Sequence, residues 1–233
     1  MSIILAIETS SEIASVALLT GQHCFFRQTD GVMNHSQSIL PMVQQVLSDA
    51  EIRLNQCDAI AFGAGPGSFT GVRTACGVTQ GLAFGADLPV ISVVTLAALA
   101  ESARRSEGAT SVLAAIDARM GEVYWAEYCF DEISATWTTV APPALSAPDC
   151  VRSVSTDRSS LIGSGFAAYR HQFSLPAAQL AAATAALPHA EMVGWLAQVE
   201  FAAGRTGRAA QAQPLYLRNK IALTSVERLA LVK

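Results

Sequence analysis

Charged side chains are scarce in this sequence. Asp, Glu, Lys and Arg make up 15% of the 233 residues, whereas typical soluble domains carry roughly 25%. Hydrophobic residues make up 51%, so either the core is large or part of the apolar surface is covered by another chain. The net charge of −4 gives no global attraction to a phosphate backbone, which disfavours direct binding to nucleic acid. The length suits one large domain or two small lobes.

Signals for membrane insertion, secretion and metal binding are also missing. No apolar run reaches the ~18 residues that span a bilayer. Glu8 interrupts the first apolar stretch, and no basic segment precedes it, so no signal peptide is expected. The five cysteines include no C-x-x-C pair and the four histidines no H-x-x-x-H pair, which argues against a disulfide framework or a helical metal site. We therefore expect free thiols, no metal and a cytoplasmic protein.

Two segments predict β-hairpins of the same design. In the first, an apolar strand from Ile3 to Ile7 ends in the polar turn Glu8-Thr9-Ser10-Ser11, and a second strand follows. In the other, the apolar strand VLAAI ends in Asp117, and the strand EVYWAEY follows a turn at 118–121. This recurrence after roughly a hundred residues indicates a duplicated lobe.

Helices and strands alternate between the two hairpins. Residues 38–47 have helical spacing, although Pro41 fits a first helical turn better than a helix interior. The strand DAIAFG leads into a glycine-rich loop and a helix from Gly71 to Gly85, and the strand PVISVVT precedes another helix. This order predicts a mixed sheet with parallel pairs, with the polar stretch 104–110 as the lobe boundary.

The pattern is weaker after the second hairpin. The run APPALSAP is predicted to be loop, and SLIGSG a strand entering a glycine turn. Ala-rich stretches after Pro176 and Pro188 are predicted to be helical, the second ending near Gly204. The segment PLYLR is predicted to be extended and to return to the body of the protein.

The glycine-rich loop at 63–71 joins a strand to a helix N-terminus. Free N–H groups at such a place can hold an anion. The loop has no P-loop lysine, and Gly63, Gly65 and Gly67 do not have the spacing of a dinucleotide fingerprint. A structural turn is therefore favoured, with anion binding as the alternative.

Glycines recur along the helix that follows this loop. Gly77, Gly81 and Gly85 are four residues apart and form one ridge, although each costs ~0.8–1 kcal/mol relative to Ala in a helix interior. A bare ridge lets another helix backbone approach closely. That helix is either the chain's own segment 38–47 or part of a second subunit, which would dock on the face formed by both helices.

The acidic turns resemble those of actin-like and sugar-kinase folds, in which a carboxylate holds hydrated magnesium and the turn holds phosphates. Glu8 stands where those folds usually have Asp, and the second turn carries Arg119 and a single glycine. We interpret the pair as a degraded nucleotide cleft. The alternative is that Glu8 and Asp117 are ordinary polar turn residues.

Several runs together resemble the TsaB (YeaZ) family of tRNA threonylcarbamoyladenosine biosynthesis proteins. They are, in order, ILAIETSSEIASVALL, NHSQSILPMV, AFGAGPGSFTGVRTACGVTQGLAFG, PVISVVTLAALA and AAIDARMGEVY. The resemblance is strong over roughly the first 125 residues, and PLYLRN resembles the family's ending. It implies an α/β, actin-like (ASKHA, ribonuclease H-like) two-lobed fold with a reduced second lobe. The expected domains are 1–105, which carries the interaction helices, and 106–233, whose tail packs back on the first lobe.

The resemblance implies a non-catalytic subunit for N6-threonylcarbamoyladenosine (t6A) at position 37 of tRNAs reading ANN codons. Its partners would be a second copy of itself, the catalytic paralogue TsaD and the ATPase TsaE, with tRNA contacted only indirectly and no membrane involved. TsaC would be a further member of the pathway. No tightly bound cofactor is expected, while ATP or ADP at the joint with the catalytic partner remains open.

Two sets of site residues follow from the resemblance. The expected partner and dimer interface is Ser36, Ile39, Leu40, Val43, Val46, Arg73, Cys76, Gly77, Gln80, Gly81 and Phe84. The expected degenerate nucleotide cleft is Glu8, Thr9, Ser10, Gly65, Gly67, Ser68, Asp117 and Arg119.

No catalytic residue is expected. The catalytic paralogue carries an N-H-x-x-x-H-like metal motif, and Thr95 and Leu99 stand at the corresponding histidine positions. Leu99 cannot bind a metal and Thr95 is a poor ligand. Two alternatives remain, an actin-like ATPase or kinase that uses Glu8 and Asp117, and, ranked last, a peptidase. Ser68 lacks the G-x-S-x-G context of a nucleophile elbow.

Overall fold

The first hairpin belongs to a five-stranded mixed sheet in this computed structural model, which describes residues 2–29, 35–155 and 159–218. Three antiparallel strands come first in the chain, and two later strands run parallel to the first of them, giving the order β3-β2-β1-β4-β5. The strands are β1 (Ile3–Glu8), β2 (Ser15–Thr20), β3 (His23–Gln28), β4 (Ala59–Gly65) and β5 (Val90–Val94).

The second hairpin begins a four-stranded sheet of the same plan. Its first three strands are antiparallel and the fourth is parallel to the first, in the order β8-β7-β6-β9. The strands are β6 (Ser111–Arg119), β7 (Glu122–Asp131), β8 (Thr136–Ser146) and β9 (Ser160–Ile162). Among the described residues this sheet lacks the fifth strand of the first sheet, so the predicted duplication with a reduced second lobe is confirmed.

Helices cover both faces of each sheet. They are α1 (His35–Asp49), α2 (Phe69–Ala86), α3 (Thr95–Glu107), α4 (Ser164–Tyr169), α5 (Ala177–Ala181) and α6 (Ala190–Ala202). Strand alternation divides the first sheet: Leu5 and Ile7 pack under α1 and α2, whereas Ile4 and Ala6 pack under α6. The helix α3 contributes Ala98 to the core of the first sheet and neighbouring Leu99 to that of the second.

Three local expectations were wrong. The strand β3 was missed, and the predicted loop at 141–148 lies largely in β8. Two bulges interrupt the pairing of β7 with β8, and Pro142 and Pro143 fall in the gap between paired Ala141 and Ala144. Because β8 is an edge strand, its prolines remove no hydrogen bond from a neighbour on the other side. Pro41 lies beyond the first turn, inside α1.

The end of the described chain returns to the first sheet, as predicted for PLYLR. The helix α6 packs on β1 and β2, and the Leu215 N–H donates to the Ala64 carbonyl at 2.7 Å. Asn219, the last residue of the PLYLRN run, lies outside the described residues. The division of the chain at 105/106 stays a prediction. No helix in the described ranges is both long and apolar enough to cross a bilayer.

Candidate functional site

A cavity of about 990 Å³ lies between the first turn, the glycine-rich loop and the second turn. The turn after β1 and the start of α2 form one wall, and the β6–β7 turn with α4 forms the other. Its polar lining includes Ser10, Ser11, His35, Ser68, Asp117, Arg119, Ser164 and Arg218. Two turns that are about a hundred residues apart in the sequence therefore line one space.

The first turn and the start of α2 are held together by close backbone contacts. Ser68 N–H donates to the Ser10 carbonyl at 2.7 Å, and Thr9 Oγ1 donates to the Gly71 carbonyl at 2.7 Å. A Cβ on Gly71 would lie 1.9 Å from the Thr9 carbonyl oxygen, so a larger residue does not fit. Ser68 caps α2, because its hydroxyl accepts from Gly71 N–H at 3.4 Å. These contacts are those of a structural turn, and anion binding by the loop stays an untested alternative.

Glu8 is fully buried and does not line the cavity. One carboxyl oxygen accepts from Ser10 N–H at 2.6 Å, and the other accepts from Thr95 Oγ1 at 3.2 Å. Thr95 Oγ1 in turn accepts from Gly65 N–H at 3.1 Å. Burial raises the pKa of Glu8, and the hydrogen bonds from Ser10 and Thr95 oppose it only in part. Glu8 therefore stabilises the first turn directly and the glycine-rich loop through Thr95.

The remaining residues of the expected cleft divide into those that line the cavity and those that do not. Thr9 is buried and Gly65 does not line the cavity. The cavity wall contains the other five, which are Ser10, Gly67, Ser68, Asp117 and Arg119. Their role in nucleotide binding stays a prediction.

Asp117 is already engaged by the chain. Its carboxylate accepts from Arg119 N–H at 2.7 Å and from the Tyr169 hydroxyl at 2.9 Å, and it pairs with the Arg119 guanidinium at 3.2 Å. Arg119 is 80% exposed. This turn therefore brings Asp117 and Arg119 to the cavity wall as an ion pair.

Thr95 and Leu99, the expected counterparts of metal-binding histidines, lie in the interior. Thr95 hydrogen-bonds to Glu8, and Leu99 is packed in the core of the second sheet. Across residues 2–29, 35–155 and 159–218, no group of three or more His, Cys, Asp or Glu side chains is placed to hold a metal ion.

The glycine ridge of α2 faces outward. A Cβ built on Gly77, Gly81 or Gly85 would have no heavy atom within 4 Å, apart from its own helix and chain neighbours. Phe84, on the same side of the helix, is 85% exposed. The alternative that α1 packs closely against these glycines is therefore wrong.

Several residues of the expected interface lie elsewhere. Ile39, Val43 and Val46 are in the core under the first sheet, because α1 turns this apolar face inward. Only Ser36, Leu40, Arg73, Gly77, Gly81 and Phe84 from that set are exposed on the single chain. A docking surface built from the described residues is therefore narrower than predicted.

The side of α2 that adjoins the glycine ridge is covered by the chain's own C-terminal segment. The Ala212 carbonyl accepts from Gln80 Nε2 at 3.0 Å and from the buried Cys76 thiol at 3.4 Å. Arg73 Nε donates to the Tyr216 hydroxyl at 2.8 Å, and its guanidinium lies 3.6 Å from the centre of the Phe69 ring. Cys76 and Gln80 were thus assigned to a partner but contact residue 212. Tyr216 and Arg218 were not predicted as site residues. An aromatic residue and an arginine within the short run PLYLR were the sequence features that could have indicated them.

Similar proteins were found by sequence and by structure. The family model for TsaD, tRNA N6-adenosine threonylcarbamoyltransferase, matches residues 19–225. The tRNA threonylcarbamoyladenosine biosynthesis protein TsaB of Escherichia coli K12 is 42% identical over 231 residues, covering 94% of this chain and 96% of that protein. Its Haemophilus influenzae counterpart is 40% identical over 226 residues, with 94% of each chain covered.

Two solved structures from Pseudomonas aeruginosa have the same fold. One is YeaZ, with a TM-score of 0.84, 40% identity, and coverage of 93% of this chain and all of that one. The other is an uncharacterised protein described as similar to the peptidase YEAZ, with a TM-score of 0.86, 40% identity, and coverage of 94% of this chain and all of that one.

The duplicated sheets with a cleft between their turns define an actin-like protein, as the resemblance implied. Within this class, the chain belongs to the TsaB family of tRNA threonylcarbamoyladenosine biosynthesis proteins.

Proposed function

We propose that this chain is a non-catalytic subunit required for t6A formation at position 37 of tRNAs reading ANN codons, and that it binds and orders the catalytic paralogue TsaD. The observation that carries the proposal is the bare face of α2, where Gly77, Gly81 and Phe84 are all exposed. The partner would lie along this ridge.

The energetics of this face favour a partner. Three glycines in a helix cost roughly 2–3 kcal/mol relative to alanine, and no packing within the described chain offsets that cost. Burying the exposed Phe84 side chain would contribute about 1.5–3 kcal/mol. A helix packed against the ridge would offset the cost of the glycines and would bury Phe84, since the absence of side chains permits close backbone contact.

The chemistry of the cleft supports an assisting role. The alternative of an independent ATPase needs carboxylates free to hold magnesium, but Glu8 is buried and Asp117 is bonded to Tyr169 and Arg119. A peptidase needs a free nucleophile, whereas the Ser68 hydroxyl caps α2. The cavity between the turns has room for ATP or ADP at the joint with the catalytic partner.

The proposal extends to the assembly. In isolation the chain would form a homodimer through the α2 ridge and Leu40 of α1, which is 48% exposed. TsaD would replace the second copy on this face, and the ATPase TsaE would join the complex. The tRNA would be reached only through these partners, in the cytoplasm.

Substitution of Gly81 tests docking. A Gly81→Arg variant is expected to fold normally, because the space around the Gly81 Cβ position is open. It should fail to co-purify with TsaD, and cells carrying it should lose t6A, measured by mass spectrometry of tRNA nucleosides. Val43 does not serve for this test, because it is buried and a charge there would disrupt the core.

The matched control is Ser106→Arg, which adds the same side chain at an exposed position of α3. It should leave both co-purification and t6A unchanged. A Gly81→Arg chain that still forms the complex with normal stoichiometry would refute docking on this ridge.

A further inference from the structure

The C-terminal segment 207–218, called here the strap, lies along α2 and ends at the second turn. It joins the first sheet through paired hydrogen bonds between Gly207 and Val90, each 2.8 Å long. It then follows α2 towards its N-terminus, where Ala212 contacts Gln80 and Tyr216 contacts Arg73. The strap therefore runs beside the ridge that the proposed function assigns to a partner.

The end of the strap holds the turn between β6 and β7. Arg218 Nη2 donates to the Glu122 carboxylate at 2.6 Å and to the Ala118 carbonyl at 3.1 Å. The Arg218 side chain is only 15% exposed, so this ion pair is shielded from solvent more than a surface pair. The same turn supplies Asp117 and Arg119 to the cavity wall. Arg218 thus fixes one wall of the cleft.

The strap is short between its two attachments. Tyr216, bonded to Arg73, and Arg218, bonded to Glu122, are separated by one residue. The Leu215 N–H donates to the Ala64 carbonyl at 2.7 Å, which fixes the strap against β4. Because only one residue separates them, a change in the position or mobility of Tyr216 changes the position or mobility of Arg218 as well.

The other attachment is open to a partner. Arg73 is exposed and stands four residues before Gly77 in the same row of α2, and Tyr216 is 44% exposed beside it. A protein that covers Gly77 and Gly81 would also cover the pair formed by Arg73 and Tyr216. The docking surface and the strap are thus physically continuous.

We infer that the strap couples partner docking on α2 to the cleft, with Arg218 as the positioning residue for the β6–β7 turn. A partner that buries Arg73 and Tyr216 restrains the strap, and Arg218 passes this restraint to residues 118–122. The inference rests on the proposed docking function and deepens it, because it assigns a second consequence to the same contact. Binding of a partner on α2 then changes the affinity of the cleft for a ligand, and binding in the cleft changes the affinity of α2 for the partner by the same factor.

Hydrogen–deuterium exchange of the full chain, alone and with purified TsaD, tests the coupling. In the unaltered chain, TsaD should slow exchange in 73–85 by direct cover and in 118–122 through the strap, the latter by about fivefold or more. In Arg218→Met, which keeps an unbranched side chain but no guanidinium, 73–85 should respond as before and 118–122 should not. Glu122→Gln removes the negative charge of the same ion pair and should weaken the response of 118–122.

The control is Arg119→Met, which removes an arginine from the same turn and leaves the contacts of Arg218 with Glu122 and Ala118 in place. It should retain the response. Protection of 73–85 with no change in 118–122 of the unaltered chain would overturn the coupling while docking stands. An undiminished response in Arg218→Met would also overturn it. Absence of protection at 73–85 would remove the docking function itself, and the coupling with it.

Discussion

Glu8 is a buried carboxyl group at the end of the first strand, and both of its oxygens are bonded to groups of the chain itself. Its oxygens meet Ser10 N–H and Thr95 Oγ1. A Cβ on Gly63 would lie 1.8 Å from one of them, so the carboxyl fills the space that this glycine leaves. The sequence pattern predicted an acidic residue at the end of the strand, but the direction of its side chain depends on Gly63 and Thr95, which are distant in the chain.

A pH dependence follows at this residue. Burial raises the folded-state pKa of Glu8 above the ordinary value of 4.5. Because the folded pKa exceeds the unfolded one, the stability linked to Glu8 is complete below pH 4.5 and is lost as the pH rises through the folded pKa. A Glu8→Gln variant keeps the shape and an acceptor for Ser10 N–H without this loss. Its free energy of unfolding relative to the unaltered chain should rise from pH 4.5 to pH 8, measured by urea denaturation.

The comparison needs a second variant at the same position. Glu8→Ala removes the acceptor of a buried N–H group and should be less stable than Glu8→Gln by about 1–3 kcal/mol at every pH. If the Gln variant and the unaltered chain differed by a constant amount across this range, Glu8 would not have a raised pKa in the folded protein.

At the scale of elements, the helix α2 illustrates what periodicity can and cannot predict. The spacing of its glycines correctly indicated a bare ridge. It did not show which residues the chain itself covers, because the contact of Gln80 with Ala212 spans 132 positions. Cys76 and Gln80 were assigned to a partner for that reason. A repeating pattern defines the faces of a helix, whereas their occupants are set by long-range packing.

Substitution of Gly77 separates the two effects of the ridge. Gly77→Ala should stabilise the isolated chain by about 0.8–1 kcal/mol, since the added methyl group meets nothing within 4 Å. The same methyl group should weaken association, because it keeps a partner backbone at a distance. Urea denaturation at low protein concentration measures the first effect, and sedimentation equilibrium or binding to TsaD the second.

Opposite signs in these two measurements are the expected outcome. Ser102→Ala, at a partly buried position of α3, controls for a general effect of alanine on helix stability. A destabilised Gly77→Ala chain would mean that the ridge is packed within the monomer.

Some strands could likewise be predicted from their local sequence, whereas others depend on pairing with distant residues. Both hairpins were predicted because their first strands are apolar and end in acidic turns. The strand β3 was missed since HCFFRQ has no clean alternation, and its pairing with β2 leaves every side chain at least partly exposed. The prolines of β8 argued for a loop, and only its edge position with bulges accommodates them.

At the scale of the whole molecule, a buried carboxylate on α3 contributes to the connection between the two sheets. Glu101 is 4% exposed and accepts from Trp137 Nε1 of β8 at 2.9 Å and from Arg105 Nε at 2.6 Å. The Arg105 guanidinium lies 4.1 Å from the centre of the Trp195 ring in α6, which packs on the first sheet. One side chain therefore links α3 to both lobes.

Removal of this carboxylate should loosen the connection between the lobes. Glu101→Ala leaves the Trp137 N–H and Arg105 without their acceptor, and we expect a loss of about 1–3 kcal/mol because Arg105 is partly solvated. Tryptophan fluorescence and far-UV circular dichroism, which coincide for two-state unfolding, should then report separate transitions. Glu200→Ala removes the acceptor of the exposed pair with Arg205 and should leave the single transition intact. Coincident transitions and unchanged stability in Glu101→Ala would show that packing of α3 and α6, rather than this carboxylate, holds the lobes together.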